Sequence, residues 1–426
     1  MEDMKFISET NFKPTEIGEI PEDWDVVKLG EMVEVDRQKI GKADFKGEVP
    51  LVQKINFESG LIILREKRNT NTDLFLGQAN RLLISKINFH QGAVSITDRE
   101  IAATTHYEFF KVLHLADLHF LWIYFRTPNF KNVFAQEIKF RGFKKEANFR
   151  YLKNFSIPLP PLSEQKAIAY VLSTIQEAVE KTKKVIEATK ELKKSLMKHL
   201  FTYGPVPLSE VDKVKLKETE IGQIPEDWNV VKLGEVVESN IRMRQAKLEH
   251  TDEIPVLPMS LIPEDSLYIK DWELRKTHEV KSGITVFNGD FLLAKITPCL
   301  ENGKQGIVSK LPNGWGIATT EVIPIRTSKV LSTEFLAFYL KHPKLRIELV
   351  NKMEGTTGRK RLPKAIVQAL PIPLPPLPIQ QKIAEILSAV DDKIQTEEKK
   401  KQALENLFKS MLSNLMTGKI RVKELG

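Results

Sequence analysis

Cysteine is almost missing from this chain. Cys299 is the single thiol in 426 residues. One thiol excludes a disulfide framework and a cysteine-based zinc site, and it suits a reducing compartment. No apolar run reaches the length of a membrane span. The opening Met1-Glu2-Asp3-Met4-Lys5 is polar and leads into no apolar signal core. A cytoplasmic protein with no membrane association is therefore expected. Motifs of catalysis are missing too. Gly41-Lys42, Gly303-Lys304 and Gly418-Lys419 are followed by Ala, Gln and Ile, so none closes a phosphate-binding loop. There is no dinucleotide fingerprint, no His-Glu-x-x-His, no Gly-x-Ser-x-Gly elbow and no Asn-Pro-Pro-aromatic tetrapeptide. The eight histidines are scattered, and His114 and His119 lack a third ligand. No cofactor, no metal and no catalytic residue is expected.

What is present is duplication. The 42% hydrophobic and 28% charged content is that of an ordinary globular protein, with a net charge of +8 that permits nucleic-acid binding. Thr15-Glu16-Ile17-Gly18-Glu19-Ile20-Pro21-Glu22-Asp23-Trp24 opens a stretch that recurs from Thr219. Between 15–34 and 219–238 the differences are Glu19/Gln223, Asp25/Asn229 and Met32/Val236. The run Ile157-Pro158-Leu159-Pro160-Pro161-Leu162 recurs as Ile372-Pro373-Leu374-Pro375-Pro376-Leu377. The repeat is one unit of roughly 210 residues, not a solenoid period. Within it, Val26–Leu29 and Val230–Leu233 read as short strands. Asp36–Arg81 and Asn240–Asp290 diverge. Leu82–Ile87 and Phe291–Ile296 then agree as buried strands. Phe120–Pro128 and Phe335–Pro343 agree as a short helix stopped by proline. Each unit reads as an α+β globule with a helical tail.

The tails carry heptads. Ile168, Leu172, Ile175, Val179, Thr182, Ile186 and Thr189 alternate steps of four and three, and Leu192, Leu196 and Leu200 continue one step out of phase. The second tail repeats the pattern through Ile383, Leu387, Val390, Ile394, Glu397, Lys401, Leu404, Phe408, Met411 and Leu415. Such seams seek a helical partner. If the units are related by a pseudo-two-fold axis perpendicular to the helices, the two pair antiparallel. Centre-to-centre pairing sets Lys181 near Glu398 and Lys194 near Glu385.

Side chains suited to DNA sit in matched loops. Lys86, Asn88, His90 and Gln91 follow the buried strand of the first unit. Lys295, Thr297, Asn302, Lys304 and Gln305 follow that of the second, around an Asn302-Gly303 turn. Lysine suits guanine edges and asparagine or glutamine suits adenine. A second cluster, Arg141, Lys144, Lys145 and Arg150, matches Arg359, Lys360, Arg361 and Lys364 and suits phosphates. The second unit adds Arg242 and Arg244.

Taken together, the Ile-Gly-x-Ile-Pro-x-x-Trp entry, the proline run, the helix starts Gln165-Lys166-Ala167-Ile168-Ala169 and Gln380-Gln381-Lys382-Ile383-Ala384, and Leu415-Met416-Thr417-Gly418-Lys419 resemble the specificity subunit of type I restriction–modification systems. The resemblance implies two α+β target-recognition domains joined by two long helices in an antiparallel coiled coil. The domains fall at 1–156 and 204–371, and the proline runs with their helices at 157–203 and 372–426. It implies a non-catalytic subunit that reads a bipartite sequence in double-stranded DNA, with the helices setting the spacer. Two methyltransferase subunits, and restriction or translocase subunits through the complex, are the implied partners. Ser163-Glu164-Gln165 faces Pro378-Ile379-Gln380, a departure that matters little if Glu164 only supports the helix start. The alternative is a stand-alone methyltransferase or nuclease with duplicated recognition domains, which binding of S-adenosylmethionine by the isolated chain would favour.

Overall fold

The structure, a computed structural model, describes residues 4–140, 147, 149–238, 252–356 and 358–424. The chain forms two compact units. Unit 1 combines Met1–Lys181 with Lys400–Gly426, and unit 2 is Thr182–Lys399. Among the described residues no helix is long and apolar enough to cross a membrane.

The repeated entry is a hairpin in both units. Phe12–Thr15 pairs with Gly18–Pro21, and Leu216–Thr219 with Gly222–Pro225. Gly18 (φ 111°) and Gly222 (φ 104°) turn the corner in a region closed to most side chains. The Thr15 and Thr219 hydroxyls each donate to that glycine's carbonyl at 2.6 Å. The next strand is closed by the proline run. Asp25–Lys28 pairs antiparallel with Ser156–Leu159, and Asn229–Lys232 with Pro371–Leu374. A two-stranded ribbon tolerates Pro158 and Pro373 because its outer edges need no amide donor.

Each unit is built on one apolar strand. Leu82–Ser85 lies between Val94–Ile96 and Tyr107–Val112, and Phe291–Ala294 between Gln305–Val308 and Val322–Ile325. Both central strands are buried throughout, as the apolar runs require. Each large apolar side chain so buried contributes about 1.5–3 kcal/mol. The divergent segments make different sheets. In unit 1, Gln38–Ile40 and Ile101–Thr104 flank Leu74–Gly77, beside a hairpin of Val52–Ile55 and Ile62–Leu64. In unit 2 the order is Glu273–Lys276, Glu253–Leu257, Trp315–Ala318, Ile284–Phe287, with the middle pair parallel.

The short helices are Leu118–Tyr124 and Thr333–Leu340, capped by Asp117 and Ser332. The prolines after them do more than stop a helix. Pro128 and Pro343 open new ones, Pro128–Phe140 and Pro343–Asn351. A proline costs nothing at a first helical position, where its missing N–H would have no partner.

The long helices span Leu162–Tyr203 and Leu377–Met416. A fully buried glutamine fastens the start of each. The Gln165 amide donates to Pro160 O (2.8 Å) and Leu115 O (3.2 Å) and accepts from the Asp117 amide (2.8 Å). Gln380 does the same with Pro375 O, Val330 O and the Ser332 amide. In unit 1, Ile168 and Leu172 share a core with Met411 and Leu415. In unit 2, Leu196 and Leu200 share one with Ile383 and Leu387. Ile175, Val390 and Leu404 are half-buried along the same faces.

Two expectations are corrected. Leu192 is 53% exposed and outside the seam. The four-three rhythm passes instead through Lys193, whose ammonium meets Asp391 at 2.5 Å in a nearly buried pair. The register is offset as well. Glu398 is held by Lys190 (2.9 Å), while Lys194 and Glu385 pair within their own helices, with Glu191 and Lys382. As the number rises from Lys190 to Lys193 it falls from Glu398 to Asp391, so these helix segments of unit 2 run antiparallel.

Glu164 proves to be more than a helix-start residue. It is buried, accepts from Trp24 Nε1 at 3.1 Å, and receives two bonds from the Arg421 guanidinium at 2.7 and 2.6 Å. Arg421 is 1% exposed and also reaches Glu9 (2.6 Å) and Asp23 (2.8 Å). It lies on Ile420–Glu424, which pairs antiparallel with Met4–Ser8 and so joins the two ends of the chain in one ribbon.

Candidate nucleic-acid interface

The end of the buried strand presents the candidate loop in each unit. In unit 1 it is a single 3-10 turn, Phe89–Gln91. Phe89 fixes it by packing edge-on against Phe125, Phe130 and Phe134 with ring centroids 5.0–5.4 Å away. Gly92 (φ 87°) ends the turn. Gln91 is exposed, with its amide 3.3 Å from the His90 ring. Lys86, Asn88 and His90 are half-buried, and the Lys86 ammonium lies 5.5 Å from the Phe75 ring.

In unit 2 the loop is longer. Asn302 is exposed at its tip, followed by Gly303 in the left-handed region (φ 78°). The Thr297 hydroxyl donates to Glu301 at 2.9 Å. Two expected base readers are corrected here. Gln305 is 1% exposed and its amide donates to Ala337 O at 2.8 Å, so it offers no edge to a base. The Lys304 ammonium is committed to Met259 O (3.0 Å) and Ile262 O (3.1 Å). Both fasten the loop to the fold.

The two expected clusters of unit 2 come together. Glu354 and Arg361 exchange backbone hydrogen bonds of 2.9 and 2.8 Å, which pairs these two residues as the facing arms of a hairpin. The Thr297 amide donates to Lys360 O (3.1 Å), and the Leu362 amide to Lys295 O (2.8 Å). Loop and hairpin are therefore stitched side by side, with Arg359 and Lys360 exposed. Arg361 is half-exposed and makes a bidentate pair with Glu321 at 2.9 and 2.7 Å. That pair holds the Glu321 carboxyl below its usual range, and its negative charge offsets the Arg361 charge that a phosphate would meet. Unit 1 repeats the stitch, because the Ala147 amide donates to Lys86 O at 2.6 Å. Arg141, Lys144, Lys145, Arg242 and Arg244 lie outside the described residues, and Arg150 has a partner of its own.

Sequence reasoning missed two further cations. Lys131 and Arg346 stand at the same step after Pro128 and Pro343. Each lies against the glycine of the candidate loop. A Cβ on Gly92 would come within 3.2 Å of Lys131, and one on Gly303 within 2.5 Å of the Arg346 guanidinium. Burial lowers the pKa of both. The signal was a cation at matched positions of the repeat, legible once the second helix is seen to start at the proline.

The arrangement suits a nucleic acid. Each unit offers a rigid loop end with amide and ammonium groups, beside a divergent segment. The +8 chain supplies a favourable field.

Comparison with known proteins agrees. The family model described as "Type I restriction modification DNA specificity domain" matches twice, over residues 21–190 and 225–406. The "Putative type I restriction enzyme MjaX specificity subunit" of Methanocaldococcus jannaschii is 30% identical, with 99% of each chain covered. The EcoAI specificity subunit of Escherichia coli is 33% identical over 51% of this chain and 37% of its own length. Among solved structures, a type I restriction–modification S subunit from M. genitalium superposes with a TM-score of 0.57. It is 17% identical, with 92% of this chain and 96% of that chain covered.

Proposed function

We propose a function from one premise: the chain belongs to the family of type I restriction–modification specificity subunits. It is the DNA-recognition component of such a complex and contributes no methyl-transfer or cleavage chemistry itself. This reading displaces that of a stand-alone methyltransferase or nuclease. Each unit reads one half of a bipartite site in double-stranded DNA, and the regions 1–156 and 204–371 are its recognition domains. Base edges are met by Asn88, His90 and Gln91 in one unit and by Thr297 and Asn302 in the other, together with the divergent segments. Phosphates are met by Lys86, Lys295, Arg359 and Lys360, and by Lys131 and Arg346 beside the loops. The complex places the chain in the cytoplasm with two methyltransferase subunits, one for each copy of the duplicated frame, and with restriction subunits bound through them.

One observation carries this reading. The strand, loop and stitching hydrogen bonds repeat in both units, while 36–81 and 240–290 differ in sequence and the parts of them described differ in sheet order. A frame kept twice around two unlike interiors is what separate half-sites require. The test replaces residues 36–150 with those of another such subunit and maps methylated sites in DNA. Change confined to one half of the target is expected; change in both halves would sink the modular reading.

A further inference from the structure

The divergent segments share no sequence, yet each is tied to the common frame at the same place. The matched stretches Phe120–Pro128 and Phe335–Pro343 carry a cation at the same position, Arg126 in one and Lys341 in the other. The Arg126 guanidinium stacks 4.5 Å over Trp122 and donates through Nη2 to Glu58 O, at the tip of the hairpin Val52–Ile55/Ile62–Leu64. Gly60 permits that approach, since a Cβ there would lie 2.9 Å from Trp122 and 3.0 Å from Arg126. Lys341 is 8% exposed, and its ammonium donates to Ser266 O at 3.0 Å, just before Tyr268–Ile269. Both acceptors are main-chain carbonyls inside the segments that the two copies do not share.

Holding Lys341 buried and Arg126 half-buried is costly. Among the described residues neither forms an ion pair, and Arg126 Nε is buried with no partner. Burial pushes Arg126 down to about 10. Lys341 is pushed down to about 8, by burial first and by Lys193 next, against the upward pull of Asp391 and Asp265. A bond to a carbonyl is what they gain, and every residue except its side chain is the same at a carbonyl. Such a tie ignores what the segment's side chains are.

We infer that Arg126 and Lys341 are equivalent positioning residues that dock each divergent segment to the frame through its backbone, so that the recognition side chains can change without loss of the dock. The inference deepens the half-site reading and rests on it for its purpose, though not for its geometry.

The test uses the full chain assembled with its methyltransferase subunits and reads two quantities, amide hydrogen exchange and the methylated sequence. Arg126→Met should speed exchange at the Gly60 amide by about ten- to hundred-fold and leave Leu82–Ser85 protected. It should relax discrimination in the half-site of unit 1 alone. Lys341→Met should do the same at the Tyr268 amide, which donates to Ser266 Oγ beside the dock, and in the other half-site. Because each unit already uses the other's cation, Arg126→Lys and Lys341→Arg should keep both properties. Unchanged exchange at Gly60 and Tyr268 overturns the dock, as does acceleration that spreads equally through the central strands. Local acceleration with both half-sites altered together supports the dock and overturns the half-site reading instead.

Discussion

At the start of one long helix stands Glu164, and at the matched place in the other stands Ile379. The acid is kept where an arginine answers it. Arg421 closes on Glu164 with both nearly fully buried, and reaches outward to Glu9 and the half-exposed Asp23. Removing one partner of such a cluster leaves a buried charge uncompensated. Arg421→Met is expected to lower stability by about 3–5 kcal/mol in denaturant titration. The double variant Glu164→Ile/Arg421→Met copies the apolar solution of unit 2 and should recover most of the loss. A double variant as unstable as the single would show that Glu164 is not the group left stranded. The basic hairpin offers a second contrast. Arg359→Gln and Lys360→Gln should each flatten the salt dependence of DNA binding by about one unit of log–log slope. Arg361→Gln should change it less, since Glu321 already answers that charge. Equal slopes for all three would argue against phosphate contact. None of these pairings was legible in the sequence, because the partners lie far apart along it. Gln305 and Asn302 read alike as amides in a loop, and the carbonyl that engages one of them belongs to the distant helix Thr333–Leu340.

The two long helices were legible in the chain because their apolar rhythm is local and long. Their starts were legible too, since the proline run and the glutamine recur together. The rhythm failed at Leu192, where Leu192, Leu196 and Leu200 invite a shift of phase that the fold does not make. The seam position is Lys193, and a lysine is recognised as interior only when Asp391 is found across from it. Leu192→Ala should therefore change stability by less than about 0.5 kcal/mol. Lys193→Met should cost about 3–5 kcal/mol by stranding Asp391, and Lys193→Met with Asp391→Leu should be neutral or stabilising. Thermal melts of the complex read all three. A large loss from Leu192→Ala alone would restore it to the seam.

At the scale of the whole molecule, duplication was the most legible feature and the arrangement of the divergent segments the least. Repeated frames announce themselves by identity. The parallel pairing of Glu253–Leu257 with Trp315–Ala318 depends on residues with no counterpart in the other copy. Each long helix begins in one unit and ends in the other. If they set the spacer of the target, four residues inserted in both, near Thr182 and Thr396, should add about 6 Å. At about 3.4 Å per base pair, the methylated spacer should lengthen by about one or two base pairs with the half-sites unchanged. An active insertion variant with the old spacer would reduce the helices to scaffold.

The ribbon that joins Met4–Ser8 to Ile420–Glu424 also sets an order in time. Unit 2 is one unbroken stretch of chain, whereas unit 1 needs its last 27 residues, Lys400–Gly426, before its core and its buried Arg421 cluster can close. On the ribosome the half synthesised first must wait for the half synthesised second, by roughly ten to forty seconds at ordinary elongation rates. During that interval Ile168 and Leu172 lack Met411 and Leu415, which complete their core, and a chaperone or a waiting subunit has its opportunity. A ribosome that stops shortly before the end leaves the younger domain whole and the older one unfinished.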